Sequence, residues 1–168
     1  MINDGADGRR LLTALYLKPQ ARARIFGNPN HSRIFGTARF YQTDQGVLTA
    51  VEVSGLPSPK GNCQSPIFAL HIHAGASCSG DAQDPFRGAA AHYDPDSCPH
   101  PYHAGDLPPL FGSHGYALSV FLTDRFTVRE IIGKTIIIHE KPDDFSTQPS
   151  GAAGEKIACG EIVAVSVL

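Results

Sequence analysis

Ile34-Phe35-Gly36-Thr37-Ala38-Arg39-Phe40-Tyr41 and Val47-Leu48-Thr49-Ala50-Val51-Glu52-Val53, joined through Thr43-Asp44-Gln45-Gly46, decide the fold. Both runs alternate small or apolar residues with polar ones, which is the period of a half-buried strand. The residues between them favour a turn, so the pair predicts an antiparallel hairpin. Working outward, Ala21 to Phe26, Ile67 to His73, Gly115 to Thr123, Thr135 to His139 and Ile157 to Val165 read as further strands. Leu56 to Asn62 is a loop on its turn residues. Two longer stretches have no sustained period: Gly75 to Gly112, and the polar Asp143 to Gly154. No helical period persists long enough to anchor a core helix. The expectation is an all-β domain, a β-sandwich or flattened barrel of about eight antiparallel strands with two long loops.

Composition agrees with one folded domain. The chain has 168 residues, 42% apolar and 18% charged, enough to bury a core. Gly 17 and Pro 13 suit many turns. A net charge of -2 gives no overall basic field, so nucleic acid is not an expected partner. No apolar stretch approaches a membrane span, so no membrane partner is expected. Residues 1–19 read as an N-terminal extension ahead of a domain spanning 20–168. Arg9-Arg10 and the apolar Leu11 to Leu17 faintly resemble an export signal. The apolar part is short, however, and Lys18-Pro19 follows it in place of a small-residue cleavage site. The expectation is therefore a short helix or an added strand, with an export signal removed ahead of Met1 as the alternative.

Six of the eight histidines group in three blocks. In a strand, His71 and His73 project to one face with Ile72 on the other, a two-point clamp for one metal ion. His92, His100, His103 and Asp106 supply three imidazoles and a carboxylate within fifteen residues. That donor set completes a closed tetrahedral zinc site, the structural kind. Cys98, two residues before His100, is a competing thiolate ligand. His139 ends an apolar, β-branched run and, taken alone, reads as a surface histidine at a strand end. His31 and His114 have no place in this constellation and read as loop residues.

Taken together and in order, these blocks resemble the copper/zinc superoxide dismutase family, in its bacterial form. The carriers are Phe68 to Gly75, Ala91-His92-Tyr93-Asp94-Pro95, His103 to Pro108, Gly133 to Lys141 with Asp143-Asp144, and Gly154 to Gly160. The resemblance covers Ala21 to Val165 and implies a Greek-key barrel. It implies a copper ion held by His71, His73, His92 and His139. It implies a zinc ion held by His92, His100, His103 and Asp106, with the His92 imidazole bridging the two. Asp143 would hydrogen-bond one ligand of each metal, and Cys78 and Cys159 would form the family's disulfide. The implied activity is dismutation of superoxide, an antioxidant oxidoreductase reaction, with His92 returning a proton to the product. Lys156 stands where the family has an arginine that orients the anion; it keeps the charge and loses the planar fork. Activity with reduced efficiency is the expectation.

Some readings stay open at this level. A non-catalytic copper- or zinc-binding domain of the same fold is the alternative function, although such a chain would be expected to lack a copper ligand or the charge at Lys156. A zinc hydrolase needs an open zinc position, which the four-donor loop set does not offer. The interval between His100 and His103 is short for the family. Four cysteines allow three complete pairings, and a second bridge between Cys63 and Cys98 would tether the shortened loop. Disulfides suit an exported protein, whereas the N-terminus as written points to the cytoplasm. A homodimer is an open assembly.

Overall fold

The computed structural model describes residues 6–58 and 66–166. Its elements are α1 (Ala6–Ala14), β1 (Ala21–Gly27), β2 (Phe35–Thr43), β3 (Gly46–Ser54), β4 (Ile67–His73), β5 (Asp106–Phe111), β6 (Tyr116–Thr123), α2 (Val128–Ile131), β7 (Thr135–His139) and β8 (Lys156–Ala164). The eight strands form one antiparallel sheet in the order β5-β4-β7-β8-β1-β2-β3-β6. Its two edges, β5 and β6, pack against each other, so the sheet curls into a nearly closed, flattened barrel. The connections from β3 to β4 and from β6 to β7 join strands that are not neighbours, which gives the Greek-key path.

The expected hairpin forms between β2 and β3. Its register runs from Phe35 opposite Ser54 to Thr43 opposite Gly46. The turn itself is the two residues Asp44 and Gln45. The Thr43 hydroxyl donates to the Gly46 carbonyl and accepts from the Gln45 amide. Gly46 has φ +125°, a conformation that residues with a Cβ avoid.

Alternation sorts the side chains. Ile25, Phe40, Val51, Leu70, Ile72, Ile136, Ile138, Ile157 and Ile162 fill the barrel interior. β7 is buried along its whole length. On its outer side Ile137 packs with Phe86, Ala89 and Cys159, because the long loop after β4 folds back over it. This double burial explains why β7 reads as an unbroken apolar run. The disulfide Cys78–Cys159 fastens that loop to β8.

The N-terminal extension takes the helical form. Ala14 and Leu15, at and just after the end of α1, cover Tyr41, Leu48 and Ala50 on the outer face of the hairpin. No helix among the described residues is long and apolar enough to cross a membrane.

The long loop is more structured than its composition suggests, since β5 lies inside it. Pro108 and Pro109 hide this strand from a pattern reading, yet β5 is an edge strand, where missing N–H donors are tolerated. The short helix α2 was likewise not legible. It begins at Thr127, whose backbone N–H and hydroxyl both donate to the Glu130 carboxylate.

Ile25 is fully buried in β1, away from the histidine blocks. Ile25→Ala is expected to destabilise the metal-free protein by about 2–5 kcal/mol. Urea unfolding of the chelated protein measures it; a loss below about 0.5 kcal/mol would contradict this packing.

Candidate metal centre

β4 presents Leu70 and Ile72 to the core and His71 and His73 to the other side, where the long loop covers them. That loop has little apolar content, and backbone hydrogen bonds hold it along β4. Ile72 donates to Gly105 and accepts from Tyr93, Gly105 donates to Tyr93, and Ala74 donates to Ala91. His92 thereby lies opposite His73 in an isolated bridge. β7 pairs with β4 and ends at His139, which brings its ring beside those of His71 and His73. The second loop then closes over the group. Gln148 accepts from the His100 amide at 3.0 Å and donates to the His100 carbonyl at 2.7 Å.

Two donor sets result: His71, His73, His92 and His139, and His92, His100, His103 and Asp106. All seven residues are buried. Within each set the ligand atoms lie within 4.8 Å of one another, and His92 belongs to both. The short interval from His100 to His103 does not prevent closure. Cys98 joins neither set; its amide donates to Asp94. Cys63 lies outside the described residues, and Cys98 forms no disulfide with any described cysteine. His31 ends a 3₁₀ turn and His114 sits in a turn, both away from the centre.

Hydrogen bonds behind the rings select which nitrogen faces inward. His71 and His100 donate through Nε2 to the two oxygens of Asp143, at 2.7 and 2.8 Å. His73 donates through Nδ1 to the Ala90 carbonyl, and His139 through Nδ1 to the Gly154 carbonyl. Each of these rings is left with one unprotonated nitrogen turned toward its set. Nδ1 of His71, Nε2 of His92 and Nδ1 of His100 are buried with no hydrogen-bond partner. Nε2 of His73 and Nε2 of His139 face each other at 3.3 Å. Nδ1 of His92, His100 and His103 converge on Asp106, at 2.8, 3.0 and 3.2 Å from a carboxylate oxygen. Buried polar atoms are rarely left unmatched, so converging, unpartnered lone pairs fit metal ions.

The electrostatics favour the same protonation states. Burial lowers His73 to about 2 and His139 to about 3, and neighbouring imidazoles add to the effect. Burial also lowers His71, against its hydrogen bond to Asp143. These rings stay neutral, the form that binds metal. Burial pushes the Asp143 carboxyl up, but hydrogen bonds from His71, the Phe145 amide and His100 outweigh it and hold the group at about 2. Asp106 is held below its usual range because the His92 hydrogen bond and nearby imidazoles overcome burial.

Above the four-histidine set opens a cavity of about 660 Å³, whose lining includes His73, His92, His139, Asp84, Glu155 and Lys156. The Lys156 ammonium lies 2.7 Å from Asp84 Oδ2. Arg125, in the turn after β6, reaches across the zinc-type set. Its Nη1 donates to the carbonyls of Pro101, His103 and Asp106. Neither Asp84 nor Arg125 carries a sequence signal for these roles, since both act across distant loops.

Comparison with known proteins gives a consistent family. The model of copper/zinc superoxide dismutase matches residues 34–162. The copper-zinc superoxide dismutase of Deinococcus radiodurans is 32% identical, the match covering 89% of this chain and 87% of that protein. That of Photobacterium leiognathi is 35% identical over 76% of this chain and 78% of its own. The solved Cu/Zn superoxide dismutase of Brucella abortus has the same fold, with TM-score 0.68 and 21% identity, covering 84% of this chain and 98% of that one.

Gly151 has φ +69°, and a Cβ there would overlap the Asp143 carboxylate and press on His100 Nε2. Gly151→Ala is expected to weaken zinc retention by about 10–100-fold, the usual effect of disturbing a carboxylate behind ligand imidazoles. Competition with a chromogenic chelator measures this, and unchanged retention would show that Asp143 does not govern the zinc-type set. Arg125→Met is expected to speed zinc release in the same assay while leaving copper uptake intact.

Proposed function

Because this chain belongs to the copper/zinc superoxide dismutase family, we propose that it converts two superoxide anions and two protons to dioxygen and hydrogen peroxide. Copper would be held by His71, His73, His92 and His139, and zinc by His92, His100, His103 and Asp106. The observation that carries this reading is the sharing of His92 between two buried donor sets, three of whose inward nitrogens have no hydrogen-bond partner. When bound, copper supplies the one-electron exchange with superoxide, and zinc supplies a redox-silent fixed charge.

The chain's own residues supply the rest. Lys156 lines the cavity that opens onto the four-histidine set and would attract and orient the anion. His92 lines the same cavity and would hold a proton at Nε2 and pass it to the leaving product. Its Nδ1 and Asp106 Oδ1 lie 2.8 Å apart, and both would turn to zinc, which keeps the ring in place. Asp143 aims His71 and His100 together, so the two donor sets are oriented by one carboxylate. The Cys78–Cys159 bridge keeps the cavity wall on the barrel. The chain keeps all four copper-type donors and the cation at Lys156, which favours an enzyme over a metal-binding domain that has lost its reaction.

Protein reconstituted with copper and zinc is expected to dismutate superoxide rapidly, whereas the chelated protein is not. Confirmed metal uptake without a copper-dependent rate would leave only metal binding. Lys156→Gln is expected to lower kcat/KM by roughly threefold to tenfold and to flatten its dependence on ionic strength. Stopped-flow decay of superoxide at several salt concentrations reads both.

A further inference from the structure

The cation at the cavity entrance is already paired. Lys156 Nζ donates to Asp84 Oδ2 at 2.7 Å and to the Phe86 carbonyl at 3.2 Å, which engages two of its three N–H groups. Asp94 and Glu155 line the same cavity, so one lysine shares it with three carboxylates. The charge of Lys156 is therefore partly offset at this entrance, although attraction of a small anion depends on it.

Asp84 is held in place. Its Oδ1 accepts from the Phe86 amide, and its own amide donates to Asp81 Oδ1. Its carbonyl accepts from the amides of Asp81 and Arg87. Asp81 in turn pairs with Arg87 at 2.9 Å. Cys78, a few residues upstream, is bonded to Cys159 on β8. The carboxylate belongs to a turn bonded to itself and anchored to the barrel, so it cannot easily retreat from the lysine. The side chains of Lys156 and Asp84 are 19% and 37% exposed, so the pair is only partly screened by water.

We propose that Asp84 is the counter-ion an incoming anion must displace from Lys156, and so sets the anion affinity of the entrance. This rests on the reading of the four-histidine set as the copper site reached by superoxide. Asp84 acts through Lys156 and is a positioning residue; it takes no part in electron or proton transfer. Asparagine at position 84 can still accept from the Phe86 amide but carries no charge, which frees the ammonium for an anion.

The test uses the copper- and zinc-loaded protein with azide as the probe, titrated by the change in copper absorption. Asp84→Asn is expected to tighten azide binding by roughly threefold to tenfold at low salt, the scale of one unit charge at a partly exposed site. The gain should shrink as salt screens the entrance. kcat/KM for superoxide should rise by a similar factor. In the Lys156→Met background the same substitution should give no gain, because the two residues form one unit. Unchanged or weaker azide binding in Asp84→Asn overturns the proposal, as does a gain that persists without Lys156. Asp84→Ser, which also keeps an acceptor and removes the charge, gives the same readout if the asparagine variant does not load copper. Azide binding is read without turnover, so an unmodified protein that binds azide but lacks a dismutation rate counts against the proposed function and not against this one.

Discussion

The Asp143 carboxylate is the point on which the centre depends. It is almost fully buried, and each of its oxygens takes a hydrogen bond from a different ring, His71 on β4 and His100 in the long loop. Those two rings belong to different donor sets. A single side chain from the second loop therefore fixes the tautomer and direction of one ligand in each set. The desolvation it suffers is outweighed by its donors, and it stays ionised. Gly151 lies close against it because any Cβ would intrude. Strand, long loop and second loop thus meet at one buried anion and two rings, beyond the small apolar cluster of Phe86, Ala89, Ile137 and Cys159 that the long loop covers.

Much of this was legible in the sequence, for physical reasons. His71 and His73 project together because strand side chains alternate, and the hairpin from Phe35 to Ser54 follows from the same period. The two donor sets are those that the histidine blocks and the family resemblance implied. The pairing of Cys78 with Cys159 followed from that resemblance and is present. β5 was hidden because Pro108 and Pro109 contradict a strand pattern, and only its position at the sheet edge makes them acceptable. Arg125 and Asp84 were hidden for another reason. Each meets its partners through folding of distant loops, at carbonyls in one case and at a lysine 72 positions away in the other. Nothing in local spacing marks such a contact. Lys156 follows from its place in the family pattern, but that place does not reveal that the lysine is already paired.

The centre also illustrates how a loop with little apolar content is held. Its backbone is laced to β4 by hydrogen bonds at Ile72 and Ala74. Arg125 gathers three of its carbonyls, and Gln148 brackets His100 from the second loop. The disulfide fixes its first part to β8. Such fastenings restrict the loop without specifying every side chain, which suits a segment whose remaining order can come from bound ions.

The strand order has a further consequence for how the chain is made. β7 and β8 are the strands that join the β5-β4 ribbon to the β1-β2-β3-β6 sheet. They also follow the other six strands in sequence, so they leave the ribosome after them. Until they emerge, the nascent protein consists of two separate sheet fragments, with β4 and β1 exposing unpaired edges. His139 and Cys159 arrive only with β7 and β8. Barrel closure, disulfide formation and completion of the four-histidine set are therefore confined to one stage, after the other six strands have been synthesised.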